Sequence, residues 1–194
     1  GGIETLTLEL LRAAPPDTEV HIVSLEGNHD ESLAKWPRLQ SCSAQLHFLE
    51  KPPGFQPALF LRLARLLWQL KATAVHTHHM GPLLYGGLAA RMCGISRWVH
   101  TEHDAWYLNA PKAKKLVSQC LRWFHPTLIA DANNVAIAVQ NAIPSARPGV
   151  IYNGIDTRRF IPGNSTLARQ RLGLPDQGFM VGCAARLEHV KGID

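Results

Sequence analysis

Long apolar runs are missing from this 194-residue chain. None reaches the ~20 residues that a membrane-spanning helix needs, and charges interrupt every candidate. The opening Gly1-Gly2-Ile3-Glu4 has neither a basic start nor an apolar stretch behind it, so it does not read as a secretory leader. Cysteine is scarce and scattered. Cys42, Cys93, Cys120 and Cys183 form no C-x-x-C pair, which argues against a disulfide framework or a structural zinc site and suits a reducing compartment. The 20 Lys and Arg exceed the 15 Asp and Glu, an excess that draws phosphate-bearing partners such as nucleotides or anionic lipid. These cations are spread out, without the arginine–aromatic interleaving of a nucleic-acid track, so nucleic acid is not expected as a partner. The remaining composition is that of an ordinary globular protein, long enough for one domain and part of another. Cytoplasmic location is the expectation, with peripheral contact at the inner face of an anionic membrane beside it. A basic helix face at Lys112, Lys114, Lys115 and Arg122 would serve that contact, although its apolar stripe has core spacing.

What the chain does have is alternation. Strand-like runs at Val20–Leu25, Leu46–Leu49, Ala72–His78, Trp98–Thr101, Leu128–Ala130 and Val150–Tyr152 are separated by helical patterns. These helices fall at Ile3–Ala14, from Pro57 onward, at Pro82–Met92, at Lys112–Phe124 and at Asn133–Ala142. From Pro57, for instance, Leu59, Phe60, Leu63, Leu66, Leu67 and Leu70 form one stripe while Arg62, Arg65 and Lys71 lie off it. Pro15-Pro16-Asp17 stops the first helix, and Gly94 ends the one from Pro82. Turn formers from Glu26 to Asp30 read as a loop, and Asp156–Thr166 reads as a linker. A short helix at Leu167–Leu172 and a new strand at Phe179–Cys183 follow. Such alternation implies an α/β fold: a Rossmann-like, doubly wound parallel sheet, then the first unit of a second Rossmann-like domain. The expected divisions are 1–155, 156–176 for linker and short helix, and 177–194. Both ends read as cut, since Gly1-Gly2 is a turn that should follow a strand and Lys191-Gly192-Ile193-Asp194 resembles a helix entrance.

In an open parallel sheet the carboxyl ends of the strands line one rim, where ligands bind. Five polar or glycine-bearing breaks fall there: Gly1-Gly2, His78-His79-Met80-Gly81, Glu102-His103-Asp104, Asp131-Ala132-Asn133 and Asn153-Gly154. Gly1-Gly2 before a helix can let the backbone approach a phosphate at the helix N-terminus, or be only a turn. In His76-Thr77-His78-His79, His76 and His78 share a strand face and His79 lies beyond it. No Cys, Asp or Glu nearby completes a zinc set, so no metal is expected and hydrogen-bonded core histidines are the reading. His100 should be structural and His103 should stand on the rim, within reach of a polar substrate. For Glu102 and Asp104 two readings stand, a base or part of a polar loop. Arg186 and Lys191 could clamp a diphosphate, or form a solvated charged loop.

Taken in order, these stretches resemble retaining GT-B fold glycosyltransferases of family 4. Gly1-Gly2-Ile3-Glu4 resembles the family's N-terminal glycine loop. Ala74-Val75-His76-Thr77-His78-His79 with Gly87-Leu88-Ala89-Ala90-Arg91 is similar to its V-H-x-H … G-x-x-A-A-R strand and helix. Val99-His100-Thr101-Glu102-His103-Asp104 resembles its H-x-x-H segment. Val150-Ile151-Tyr152-Asn153-Gly154-Ile155-Asp156 with Phe160 and Pro162 resembles its hinge, and Ala185–Gly192 its R-L-x-x-x-K-G donor turn.

The resemblance implies transfer of a sugar from a nucleotide-diphosphate sugar to an acceptor hydroxyl with retention, without a cofactor or an obligatory metal. The acceptor would be a sugar, glycolipid or polysaccharide, and residues 1–155 the acceptor-side domain. It implies that His103 contacts the transferred sugar. Gly1, Gly2, Arg186 and Lys191 would bind the donor, and His78, His79, Glu102, Asp104 and Asn153 would line the cleft or meet the acceptor. Acceptor selection would reside around Asn28–Trp36 and Asp104–Pro111. The family's first strand and its E-x7-E carboxylate motif are not in this sequence, so residues 1–194 alone are expected to be inactive. A nucleotide-sugar epimerase or phosphorylase of the same fold, and a non-catalytic nucleotide- or polysaccharide-binding module, are the competing readings.

Overall fold

The computed structural model describes residues 2–185 and 192. It divides into two units, Gly1–Asn153 and Gly154–Asp194. The first alternates helix and strand in the order α1 (Gly2–Arg12), β1 (Ile22–Ser24), α2 (His29–Lys35), a 3-10 segment (Pro37–Gln45) and β2 (Leu46–Phe48). It continues with α3 (Ala58–Gln69), β3 (Ala74–His78), α4 (Met80–Met92), β4 (Arg97–Glu102) and a 3-10 turn (Trp106–Asn109). The last elements of this unit are α5 (Pro111–Phe124), β5 (Thr127–Ala130), α6 (Asn133–Ala142) and β6 (Gly149–Val150). Every described pairing is parallel, in one sheet of order β1-β2 and one of order β3-β4-β5-β6.

Apolar spacing explains the layers. Leu59, Leu63 and Leu67 recur at i, i+4 and i+8, and α3 buries all of them with Leu49, Tyr85 and Ala89, beside Val23, Leu25 and Val75. Each such leucine contributes roughly 1.5–3 kcal/mol. Neighbouring residues of β1 part company: Val23 joins that cluster, whereas Ile22 packs with Leu8 and Leu11 of α1, Leu33 of α2, and Leu46. The β1-β2 sheet is therefore covered on both faces, as a doubly wound fold requires. A separate core under the four-stranded sheet joins Leu83, Trp98, Val117, Cys120, Leu128 and Val139. Among the described residues no helix is long and apolar enough to cross a membrane.

Three local expectations are corrected. The loop expected over Glu26–Asp30 gives way at His29 to α2, within the stretch Asn28–Trp36: the Asn28 side chain caps it by accepting from the Glu31 N–H at 2.9 Å. With seven residues and one apolar anchor, Leu33, its periodicity is too short to read. The Val150–Tyr152 strand pairs only through Val150, although Ile151 N–H still donates to Ala130 O at 3.0 Å. In the second unit, α7 (Ser165–Arg171) forms under an Asn164 cap. Phe179–Cys183, expected as a strand, forms no ladder among the described residues. Its Phe179 and Val181 are 94% and 86% exposed, and a segment that pairs with no described neighbour is not a strand.

Candidate functional site on the strand rim

Parallel register brings the carboxyl ends of β3, β4, β5 and β6 side by side. His78 closes β3, His103 follows β4 by one residue, Asp131 follows β5 by one, and Asn153 lies just beyond β6. Their side chains meet. His103 Nδ1 donates to Asp131 Oδ2 at 3.1 Å, and Asn153 Nδ2 donates to the same oxygen at 2.9 Å. The other ring nitrogen of His103, Nε2, lies 2.9 Å from His78 Nδ1, with the two rings stacked at 5.2 Å. His79 stands edge-on to His103 with centroids 5.8 Å apart. The imidazole of His103 is thus gripped at both nitrogens, from β5 on one side and β3 on the other.

Burial, reinforced by the neighbouring histidines His76, His103, His100 and His79, pushes the His78 imidazole down to about 3. It stays neutral at pH 7, with one ring N–H to give. Burial, then His100 and His103, push His76 down to about 4, but it is exposed at the edge of the four-stranded sheet, so water screens more of the effect. Because the folded value lies below the ordinary 6.5, protonation of His78 favours the unfolded chain. Its contribution is complete above pH 6.5 and is lost as pH falls toward 3, by about 1.4 kcal/mol per unit at most. Imidazole NMR of the full-length protein should show no His78 titration between pH 5 and 8; a midpoint near 6.5 would contradict the packing described.

His79 carries the backbone signature of a site under strain. It is the N-cap of α4 at φ 65°, ψ 166°, a region that L-residues other than glycine seldom adopt. Such a residue costs on the order of 1–3 kcal/mol and persists only where its surroundings hold it.

Beneath the rim, β4 turns Trp98, His100 and Glu102 to one interior face. A directed chain of hydrogen bonds links them. Trp98 Nε1 donates to Thr77 Oγ1 at 3.1 Å, and Thr77 Oγ1 is bonded to His100 Nδ1 at 2.9 Å. His100 Nε2 donates to Glu102 Oε1 at 3.0 Å, and Tyr107 OH donates to the same oxygen at 2.6 Å. Burial, then the charge and hydrogen bond of Glu102, then Asp104, push the Tyr107 phenol far up, which keeps its proton in place as donor. Glu102 is therefore not a rim base. β4 runs one residue further than expected, and the alternation places Glu102 inside at 1% exposure. His100 is wholly buried, as a structural residue should be.

Of the other candidates, Gly2 opens α1, and a Cβ added there would meet nothing within 4 Å. Gly1, Arg186 and Lys191 lie outside the described residues. Asp104 lines a groove of about 650 Å³ between the segment His103–Asn109 and α6. One oxygen each of Asp104 and Glu102 is buried without a hydrogen-bond partner. Asp131, Thr77 and Tyr107 are functional or supporting residues that the sequence alone does not single out. Only Asp131 left a signal, as part of the fourth break between strand and helix.

Ligand-binding rims at strand carboxyl ends are general to open parallel sheets, so comparison with known proteins decides the family. The family model for Glycosyltransferase Family 4 matches residues 1–159. The chain belongs to that family. An O-antigen biosynthesis glycosyltransferase, WclY of Escherichia coli, is 26% identical over 146 residues, 73% of this chain and 35% of its own length. The D-inositol 3-phosphate glycosyltransferase of Acidothermus cellulolyticus is 33% identical over 136 residues, 62% of this chain and 29% of its own. A UDP-Gal:alpha-D-GlcNAc-diphosphoundecaprenol alpha-1,3-galactosyltransferase of Escherichia coli is 29% identical over 140 residues, 66% of this chain and 35% of its own. The chain thus spans about a third of the length of the curated relatives it matches.

Within this family-4 chain, the G-x-x-A-A-R stretch is architecture. Gly86 and Gly87 leave room for Thr77 and Trp98, Ala89 and Ala90 are fully buried in α4, and Arg91 Nη1 donates to Trp123 O at 3.0 Å. The histidine stretches mix both uses, His100 holding the core and His78 and His103 meeting at the rim.

Proposed function

We propose that the full-length protein transfers a sugar from a nucleotide-diphosphate sugar to an acceptor hydroxyl with retention, in the assembly of a polysaccharide, lipopolysaccharide or glycolipid. The observation that carries the reading is His103, held between Asp131 and His78 on the shared rim. Family membership and relatives named for O-antigen and diphosphoundecaprenol-linked acceptors support it.

In this mechanism the acceptor oxygen attacks the anomeric carbon on the face from which the diphosphate leaves. The bond from that carbon to the donor phosphate oxygen breaks, and the departing phosphate takes the acceptor's proton. No protein base is required, which suits the burial of Glu102. His103 contacts the transferring sugar and orients it. Gly1 and Gly2 let the backbone approach the donor phosphates, while Arg186 and Lys191 neutralise the charge that grows on the leaving group. His78, His79 and Asn153 shape the wall around His103, and no metal or cofactor takes part.

The test is a screen of nucleotide sugars with the full-length protein, reading the anomeric configuration of the product by NMR. Retained configuration is expected. Epimerised donor without transfer would favour the epimerase reading, and an inverted product would sink the mechanism. Lys191→Ala should weaken nucleotide-diphosphate binding by roughly tenfold or more, the loss of one charge-assisted contact. Unchanged affinity would remove Lys191 from the donor site.

A further inference from the structure

We propose that the groove between His103–Asn109 and α6 is a subsite for an uncharged saccharide, whose ring packs against Trp106. Its volume, about 650 Å³, lies in the range of small-ligand sites. Its lining has two textures. Ala105, Val135, Ala138 and Ala142 supply apolar surface, and Asn109, Asn134, Asn141 and Asp104 supply hydrogen-bonding groups. On α6 the lining residues fall at i, i+1, i+4, i+7 and i+8 from Asn134, one continuous face along the helix.

A pyranose is amphipathic in the same way. Its C–H faces are apolar, and its hydroxyls both donate and accept. A side-chain amide offers two donors and an acceptor, and so can pair with a hydroxyl in either sense. A carboxylate only accepts, which suits a hydroxyl donor and repels an anion. Trp106 is 71% exposed on the 3-10 turn, edge to face with Tyr107 at 6.4 Å, which leaves its ring surface open beside the amides. A large aromatic left in water next to a polar groove fits an apolar ligand face with polar edges.

The charge pattern excludes an anionic ligand. Although the chain has 20 Lys and Arg, none lines this groove. Arg62 and Arg65 line a different groove of about 530 Å³, between β2 and α3. The N-terminus of α6 has no side-chain cap, and its partial positive charge is of the sign that attracts a phosphate. Asp104 in the groove and Asp131, two residues before the helix, counter that field, and the Val135 N–H is already taken by Asn134 Oδ1 at 3.0 Å. His103 joins the groove to the rim, so a hydroxyl of the bound saccharide lies next to the reacting centre. That last assignment, of the saccharide as acceptor, rests on the sugar-transfer reading; the binding does not.

Binding is measured first, on the full-length protein without donor, by saturation-transfer NMR and shifts of the Trp106 indole. The probes are methyl glycosides of a neutral hexose and of an N-acetylhexosamine, with inositol 3-phosphate as the anionic polyol. At least one neutral glycoside should shift Trp106 and inositol phosphate should not. Trp106→Ala should weaken the glycoside roughly tenfold, Trp106→Phe by no more than about threefold, and Asn141→Ala by about threefold or more. The Trp106→Ala melting temperature should be unchanged, because the side chain is mostly in water. Tighter binding of inositol phosphate, undiminished glycoside binding by Trp106→Ala, or no shift with any probe would each overturn the subsite. The two readings then separate: glycoside binding without any sugar transfer sinks only the proposed reaction, and transfer that is indifferent to Trp106 sinks only the subsite.

Discussion

Asp131→Ala in the full-length protein should lower kcat by about 10- to 100-fold while the donor KM changes little, the effect of releasing a group that orients a reacting one. Asp131 is not expected to touch the sugar. Its Oδ2 receives both His103 and Asn153, from different strand ends, and fixes the ring on which the proposed contact depends. Alanine leaves the His103 Nδ1–H without its acceptor in a place where the imidazole is only 9% exposed. The ring must then rotate, change tautomer or admit water. Asparagine should recover most of the rate, since a carbonyl oxygen has two lone pairs and can accept both donors. His103→Ala should cost more, about 10²–10³-fold, because it removes the contact itself. A role in stability alone would shift the tautomer and the melting temperature without the loss of kcat, so nitrogen-15 spectra of the imidazole are read together with the rate. His103 should carry its proton on Nδ1 in the parent and in Asp131→Asn, and show a mixture in Asp131→Ala. Full activity in Asp131→Ala would remove the carboxylate from the site.

Asp131 also shows where sequence reading stops. Position on the rim is legible, because strand ends can be found from apolar runs and the breaks after them, and His78, His103 and Asn153 follow from that. Partnership is not. Nothing in the spacing of His103, Asp131 and Asn153 says that one oxygen serves two donors, since that depends on the register of β4 against β5 and β6. Glu102 failed for a narrower reason. Glu102 lies two residues after buried His100, so a β4 that continues through it fixes the carboxylate on the core face, whereas a strand ending at Thr101 leaves it in the turn, free to face a ligand. The elements themselves were read where periodicity had length to act, as in α3 and α5. Periodicity is silent where a short helix such as α2 relies on a cap, and it misleads where a stretch has the composition of a strand but no partner among the described residues.

Gly87→Ala should destabilise the first unit by about 3 kcal/mol or more, a large part of the 5–15 kcal/mol that holds a typical domain. A Cβ there would stand 2.8 Å from Phe124 Cδ2 and 2.9 Å from Trp98 Cζ2, with Trp98 Cη2 closer still. Neither ring can easily retreat. Trp98 is 7% exposed and pinned through Nε1 to Thr77, and it packs on Phe124 with centroids 5.2 Å apart. The clash therefore has to move α4 away from β4, which takes Leu83 out of the core beneath the sheet and Tyr85 and Ala89 out of the cluster with α3. At Gly94, by contrast, added bulk meets nothing within 4 Å, and alanine there costs only the strain of φ 70°. Shrinking the opposing ring separates crowding from any loss of backbone freedom. Trp98→Leu alone should destabilise by leaving a cavity and removing one hydrogen bond to Thr77 Oγ1, yet combined with Gly87→Ala it should cost clearly less than the sum of the two. Urea unfolding of the four proteins measures that coupling. Additive losses would mean that Gly87 is there for some reason other than the indole above it.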